Sequence, residues 1–383
     1  MSANQIHEAD RVEGAPHPRE TETLFGQDQA EQDFLLALNS NRLHHGWLIS
    51  GPKGVGKATL AWRIARFLLT LPAEDGGGMF APEPQVHRSL NVDPDHPVSH
   101  RIRALSEPGV FLLRRGFAGS TDSAREKARQ DGKFAADIRV NEVRELSSYL
   151  HMSMADGGRR VVIVDSADEM NVNAANALLK MLEEPPARTV MLLISHQPSR
   201  LLPTIRSRCR ELRLHALSSD NMQLALTQAG FEANDSPALS EMAAGSVGEA
   251  LKHLQQDGLP LYAELLSLFS SSRGLDRSKA LNFVNALNGK GADAKLELIL
   301  GLFDLFLARL ARTGAIGAPP RVEIAPGEGN LLMQLAPSVH KARDWAKAAQ
   351  EITDRTRHGK SVNLDPASLV LDTVFKIHQT AVA

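Results

Sequence analysis

Three apolar strand-like runs, a glycine-rich turn carrying a lysine, and the loss of strand patterning beyond His215 together predict an α/β phosphate-loop domain with a parallel sheet, followed by helical segments. The run at 47–50 enters the glycine turn, the run at 160–164 ends at Asp165, and the run at 190–194 ends at Ser195. Continuous apolar runs of this kind suit strands covered on both faces. At about 150 residues per domain, the 383 residues favour two or three domains.

Taken in order, residues 1–20 carry Glu8, Asp10, Glu13 and Glu20 without an apolar stretch, so the expectation is a loosely ordered arm and not a signal or transit peptide. Residues 21–216 form the α/β domain. The helix after the glycine turn has an apolar face of Leu60, Ile64, Phe67 and Leu68. Residues 72–137 gather Gly76, Gly77, Gly78, several prolines and a charged stretch at 122–133, and read as an insertion or surface excursion. The segment 173–186 is a helix stopped by Pro185 and Pro186. Residues 217–274 read as a small helical domain and 275–383 as a second bundle, with Arg273 and Gly274 at the junction. The last helix starts with Asp365 as N-cap and Pro366 at the first position, and turns Leu369, Val370, Thr373, Val374 and Ile377 to one face.

Bulk properties narrow the function. The 43 Lys plus Arg against 45 Asp plus Glu leave a net charge of −2, which argues against coating nucleic acid or membrane by charge alone. A single cysteine, Cys209, excludes an internal disulfide framework and a four-cysteine zinc site, and suits the cytoplasm. The longest apolar stretch, 296–310, contains Glu297, Asp304 and Arg309 and is too short and too charged to span a bilayer.

The chemistry-bearing turn is Gly51-Pro-Lys53-Gly54-Val-Gly56-Lys57-Ala58. Its glycines free backbone N–H groups to wrap a phosphate, the following helix adds its positive end, and Lys57 reaches outward to the outer phosphates. The next position should hold the Ser or Thr hydroxyl that binds Mg²⁺, but it is Ala58, and Thr59 one residue on is rotated by about 100°. Asp165 fits the second, metal-orienting acid of such sites, yet Ser166 stands where a water-polarising glutamate is needed. Asp168 and Glu169 either cap the next helix or serve as base. Arg208, in Ser207-Arg208-Cys209, is either one half of an internal ion pair or a finger reaching a neighbour's γ-phosphate.

The phosphate loop, the stretch 161–168, the Leu-Glu-Glu-Pro-Pro segment within 176–186 and the run 206–209 together resemble the clamp-loader branch of the AAA+ superfamily. The resemblance is good over about 17–215 and architectural beyond. It implies an AAA+ domain, a helical lid and a helical collar that holds a five-subunit ring, which places a sliding clamp on primed DNA within a bacterial replicative DNA polymerase holoenzyme. The implied partners are an ATPase subunit, a delta subunit, the clamp and DNA, the last two mainly through the complex, with no membrane. ATPase members carry Ser or Thr at the place of Ala58, Glu at that of Ser166, and an arginine where Gly245-Ser246-Val247-Gly248 has Gly248. Those departures imply a member that does not hydrolyse ATP, needs no cofactor, and lends Arg208 in trans, with Arg206 as a structural or secondary phosphate-side contact. The competing expectations are an active ATPase in which Lys57, Thr59 and Asp165 bind MgATP, and a P-loop kinase or switch unrelated to replication. His87, His96 and His100 read as loop histidines and not zinc ligands, because Pro97 disfavours a regular helix interior there. Arg101, Arg103, Arg114 and Arg115 read as a solvated face or as DNA contacts.

Overall fold

A computed structural model describes residues 7–12, 14–40, 42–72, 86–152, 158–232, 236–270, 275–285, 292–362 and 364–382. The chain divides into two compact units, Met1–Phe231 with Ser246–Gly248, and Glu232–Gly245 with Glu249–Ala383.

In the first unit, β1 (Gly46–Ser50), β2 (Val110–Leu113), β3 (Arg160–Val164), β4 (Thr189–Ser195) and β5 (Arg210–Arg213) pair in parallel in the order β2-β3-β4-β1-β5. The three runs legible in the sequence are the central strands, every residue of which is buried. Both edge strands escaped the sequence reading. In β5, Arg-Glu-Leu-Arg, only Leu212 is buried, so its period is hidden by charge. β2 lies inside the stretch expected to be an insertion, which therefore supplies part of the sheet.

The helices of this unit are α1 (Asp28–Asn39), α2 (Lys57–Thr70), α3 (Pro97–Arg103), α4 (Asp122–Gln130), α5 (Val140–His151), α6 (Val172–Glu183), α7 (Pro203–Arg206) and α8 (Ser219–Gln228). Strand side chains alternate between faces. Leu48, Val162, Val164, Met191 and Leu193 pack with Val143, Leu146 and Leu150 of α5 and Leu178 and Leu182 of α6. Trp47 and Ile49 point the other way, where Phe34 of α1 lies 5.1 Å from Trp47 ring to ring. Arg160, a buried cation at the head of β3, donates to the carbonyls of Leu150 and Met152 at the C-terminal end of α5, where the helix dipole favours positive charge.

Of the expected loose arm 1–20, the described residues 7–12 and 14–20 are instead packed: His17 is fully buried and Glu8, Ala15 and Arg19 are nearly so. Of the acids that marked the arm as solvated, Glu8 and Asp10 are matched by cations. Glu8 accepts from Arg19 at 2.7 Å and pairs with Arg114 at 3.3 Å, and Asp10 pairs with His17 and Arg114. Pro97 is likewise accommodated, because it stands at the first position of α3 with His96 as N-cap, where a missing N–H costs nothing.

The regular elements among the described residues of the second unit are all helices: α9 (Ser236–Met242), α10 (Val247–Gln255, belonging here from Glu249), α11 (Gly258–Phe269), α12 (Arg277–Asn285), α13 (Ala292–Ile316), α14 (Glu328–Leu335), α15 (Val339–Ser361) and α16 (Pro366–Val382). The expected boundaries at 216/217 and 274/275 do not separate compact units. Helix α8 belongs to the first unit, while α11 shares one apolar core with the later helices, Phe269 stacking on Phe306 at 5.5 Å. The expected junction residues Arg273 and Gly274 lie outside the described residues. Helix α16 starts as its sequence indicates, Asp365 accepting from the Ser368 N–H at 2.9 Å, and it buries Leu369, Val370, Thr373, Val374 and Ile377. Among the described residues no helix is long and apolar enough to cross a membrane.

Candidate functional site

The C-terminal ends of the sheet strands bring together the phosphate loop after β1, Asp165 after β3 and Ser195 at the end of β4. A ligand crevice is expected at this edge of an open parallel sheet. Gly51, at φ 141°, runs so close to the Leu214 carbonyl that a Cβ would collide with it. Gly54, at φ 75°, is in contact with Ser246 and Gly248, and its carbonyl accepts the Gly248 N–H at 3.2 Å. Ser246–Gly248 thus closes on the loop, Gly248 through its backbone.

Lys57, 3% exposed, does not point outward. Its ammonium donates to the carbonyls of Gly51, at 2.7 Å, and Pro52, both in its own loop. Burial lowers its pKa to about 8, against the pull of Asp168 and Asp165 and with help from the Lys53 charge. Ala58 offers no hydroxyl to a metal, and Thr59 sits one position further along α2. These residues do not fit a hydrolytic MgATP site: the lysine is committed to the loop and the metal hydroxyl is missing.

Asp165 is raised to about 7 by burial and by the neighbouring Asp10 and Glu169, although Arg114 and Lys57 oppose the shift. Because the folded value lies above the unfolded one, the group stabilises the fold only at low pH, and that contribution is lost as pH rises from about 4 through about 7. Asp165→Asn should therefore raise the thermal unfolding midpoint at pH 8 and leave it nearly unchanged below pH 4, read by calorimetry across that range. A lower midpoint at pH 8 would show that the ionised carboxylate is stabilising.

Neither acid beyond β3 acts as a helix cap. Asn171 caps α6, accepting from the Ala174 N–H at 2.9 Å. Asp168 accepts the N–H groups of His196 at 2.9 Å and Gln197 at 3.2 Å, tying the end of β3 to the end of β4, and Glu169 pairs with Arg115 at 2.9 Å. Both are spent on structure, so neither is poised as a base. Ser166, at φ 62°, meets Nε2 of His196 at 3.2 Å. His196 was not singled out in the sequence. Burial and the charge of Lys57 bring it down to about 4, so it is neutral at pH 7.

The expected arginine patch is dissolved by carboxylates. Arg101 pairs with Glu107 at 2.7 Å, Arg103 with Glu22 at 2.8 Å, Arg114 with Glu8 and Asp10, and Arg115 with Glu169. The three histidines are scattered: His96 caps α3, His87 lies edge-on to Phe67, and His100 is on the helix surface. Glu8, Asp10 and His17 bring ligand atoms within 4.8 Å of one another. However, His17 Nδ1 accepts the Arg19 N–H, which leaves the ring proton on Nε2 facing Asp10. Although burial opposes it, that bond and the Arg114 charge hold Asp10 down at about 2. The cluster is an ion-pair network in which the Nδ1 lone pair of the histidine is taken by the Arg19 N–H.

Arg208 follows α7 on a turn, its side chain 37% exposed. One Nη donates to the Thr204 carbonyl at 3.0 Å and the other pairs with Glu183, the last residue of α6, at 2.7 Å. Arg206 is exposed, and Cys209 packs beside the α6 core, burial pushing its thiol up to about 12.

Sheet order, phosphate loop and acidic strand end define an α/β protein of the P-loop class. Within it, the chain belongs to the delta-prime family of DNA polymerase III subunits: the family described as "DNA polymerase III, delta subunit" matches residues 26–218. The chain is similar to the DNA polymerase III subunit delta' of Escherichia coli, at 30% identity over 80% of this chain and 82% of that one. With the subunit delta' of Pseudomonas aeruginosa it shares 41% identity over 43% of this chain and 41% of the relative's length. Among solved structures, a DNA polymerase III gamma subunit-related protein of Thermotoga maritima aligns over 91% of this chain and 100% of its own, at 15% identity and a TM-score of 0.41.

Proposed function

We propose that the chain is a subunit of the DNA polymerase III clamp loader that turns over no ATP itself, works in the cytoplasm as a scaffold in a five-subunit hetero-oligomeric ring with an ATPase subunit and a delta subunit, and lends Arg208 to the neighbouring ATPase subunit as the complex loads a sliding clamp on primed DNA. Family membership supports the clamp-loader role. The division of labour rests on one contrast: Lys57 and Asp168 of the chain's own phosphate site are buried and engaged within it, while Arg208, though paired with Glu183 and the Thr204 carbonyl, stands on a partly exposed turn with N–H donors left over.

An arginine supplied from the next subunit stabilises charge spreading over the transferring phosphoryl group, and its planar fork donates to two oxygens at once. A chain with this role loses nothing by lacking the metal hydroxyl and the polarising glutamate, because the chemistry takes place elsewhere. ATP turnover by the isolated chain should stay at the uncatalysed background, with Lys57→Ala indistinguishable from the parent. Robust turnover that disappears in Lys57→Ala would sink the non-hydrolysing assignment.

A further inference from the structure

We infer that Glu183 is the positioning residue for Arg208; this rests on the reading of Arg208 as the donated arginine. The two residues come from different elements. Glu183 is the last residue of α6, which Pro185 and Pro186 keep from continuing, and Arg208 follows the short helix α7. Their side chains meet at 2.7 Å, and the other Nη of Arg208 donates to the Thr204 carbonyl at 3.0 Å. A long, many-rotamer side chain is thereby gripped at both terminal nitrogens by groups on two elements of the same unit.

With side-chain exposures of 37% and 48%, the Arg208–Glu183 pair is the kind that adds little to stability. What it does is fix direction. Three of the Arg208 donors are engaged, by Glu183, the Thr204 carbonyl and, at 3.5 Å, the Ser207 hydroxyl, and a guanidinium with five donors in a rigid fork still keeps N–H groups for a phosphate. Misplacing a catalytic group by about 1 Å can cost on the order of 10²-fold in rate, so a weak ion pair that holds the fork in place has a kinetic effect far larger than its thermodynamic one.

The test is a double-mutant cycle on the assembled clamp loader, reading single-turnover ATP hydrolysis at the served site and the ATP concentration dependence. Glu183→Ala should slow hydrolysis there by about 10- to 100-fold with little change in apparent ATP affinity. Glu183→Gln keeps an acceptor oxygen at the same reach and should recover much of the rate. In an Arg208→Ala background, Glu183→Ala should add nothing. Glu183→Ala slowing hydrolysis equally in both backgrounds would show a general role for the end of α6 and overturn the inference. So would a silent Glu183→Ala beside a strongly slowed Arg208→Ala. If Arg208→Ala itself hydrolyses normally, the underlying reading of Arg208 falls, and this one with it.

Discussion

Replacing Arg208 with alanine should slow ATP hydrolysis at the neighbouring subunit's site by on the order of 10³ to 10⁵, the range that supplied arginines contribute. That factor corresponds to about 4–7 kcal/mol of transition-state stabilisation. The same change should hardly touch the fold, because within the chain it removes a partly exposed ion pair to Glu183 and a hydrogen bond to the Thr204 carbonyl, and an exposed pair is worth about 0–1 kcal/mol. Rate and stability therefore separate. The complex should assemble normally by gel filtration, while rapid-quench hydrolysis loses the amplitude of one site. Arg208→Lys should not restore it, because a compact ammonium lacks the guanidinium fork. Full single-turnover amplitude in Arg208→Ala would contradict the assignment.

The second large effect is structural and lies in the helical unit. Glu328 is fully buried, and its carboxylate accepts from Arg309 Nε at 2.6 Å, Arg309 Nη2 at 3.0 Å, the Tyr262 hydroxyl at 2.7 Å and the Ile324 N–H at 2.7 Å. Arg309 in turn reaches Glu241 at 2.7 Å and the Val322 carbonyl at 2.7 Å. Burial disfavours the charged Arg309, but the Glu328 partnership outweighs it and raises its pKa; burial and Glu328 raise the pKa of Tyr262 as well. Each member depends on the others, so removing one leaves a buried charge without its counterpart. Glu328→Ala should cost about 3–5 kcal/mol, read as faster hydrogen exchange of amides in α13 and α14. Replacing Glu328 and Arg309 together by apolar residues of similar volume should cost less than Glu328→Ala alone. A double replacement more damaging than the single one would show that the pair is net stabilising.

The central strands were legible because burial on both faces forces continuous apolar runs, as in Arg160–Val164 and Thr189–Ser195. The edges were not. Arg210–Arg213 keeps one buried side chain among three polar ones, and Val110–Leu113 is isolated among glycines, prolines and charges. The phosphate loop was legible as a motif, since glycines at positive φ leave a spacing in the sequence. Where Lys57 points is decided by tertiary packing and leaves none. The same holds for the acids and arginines: the sequence shows Glu8, Asp10, Arg114 and Arg115 as surface charges, and only the fold brings them together as ion pairs. Glu183 stood within a motif recognised as a whole, but its meeting with Arg208 spans two elements that spacing cannot relate.

The most direct test of the division of labour compares two substitutions of this chain in otherwise identical assembled complexes, Lys57→Ala and Arg208→Ala, by single-turnover ATP hydrolysis. Full amplitude is expected for Lys57→Ala and the loss of one site's amplitude for Arg208→Ala. Loss of amplitude in Lys57→Ala with full amplitude in Arg208→Ala would contradict that division, and would assign catalysis to the phosphate loop of this chain.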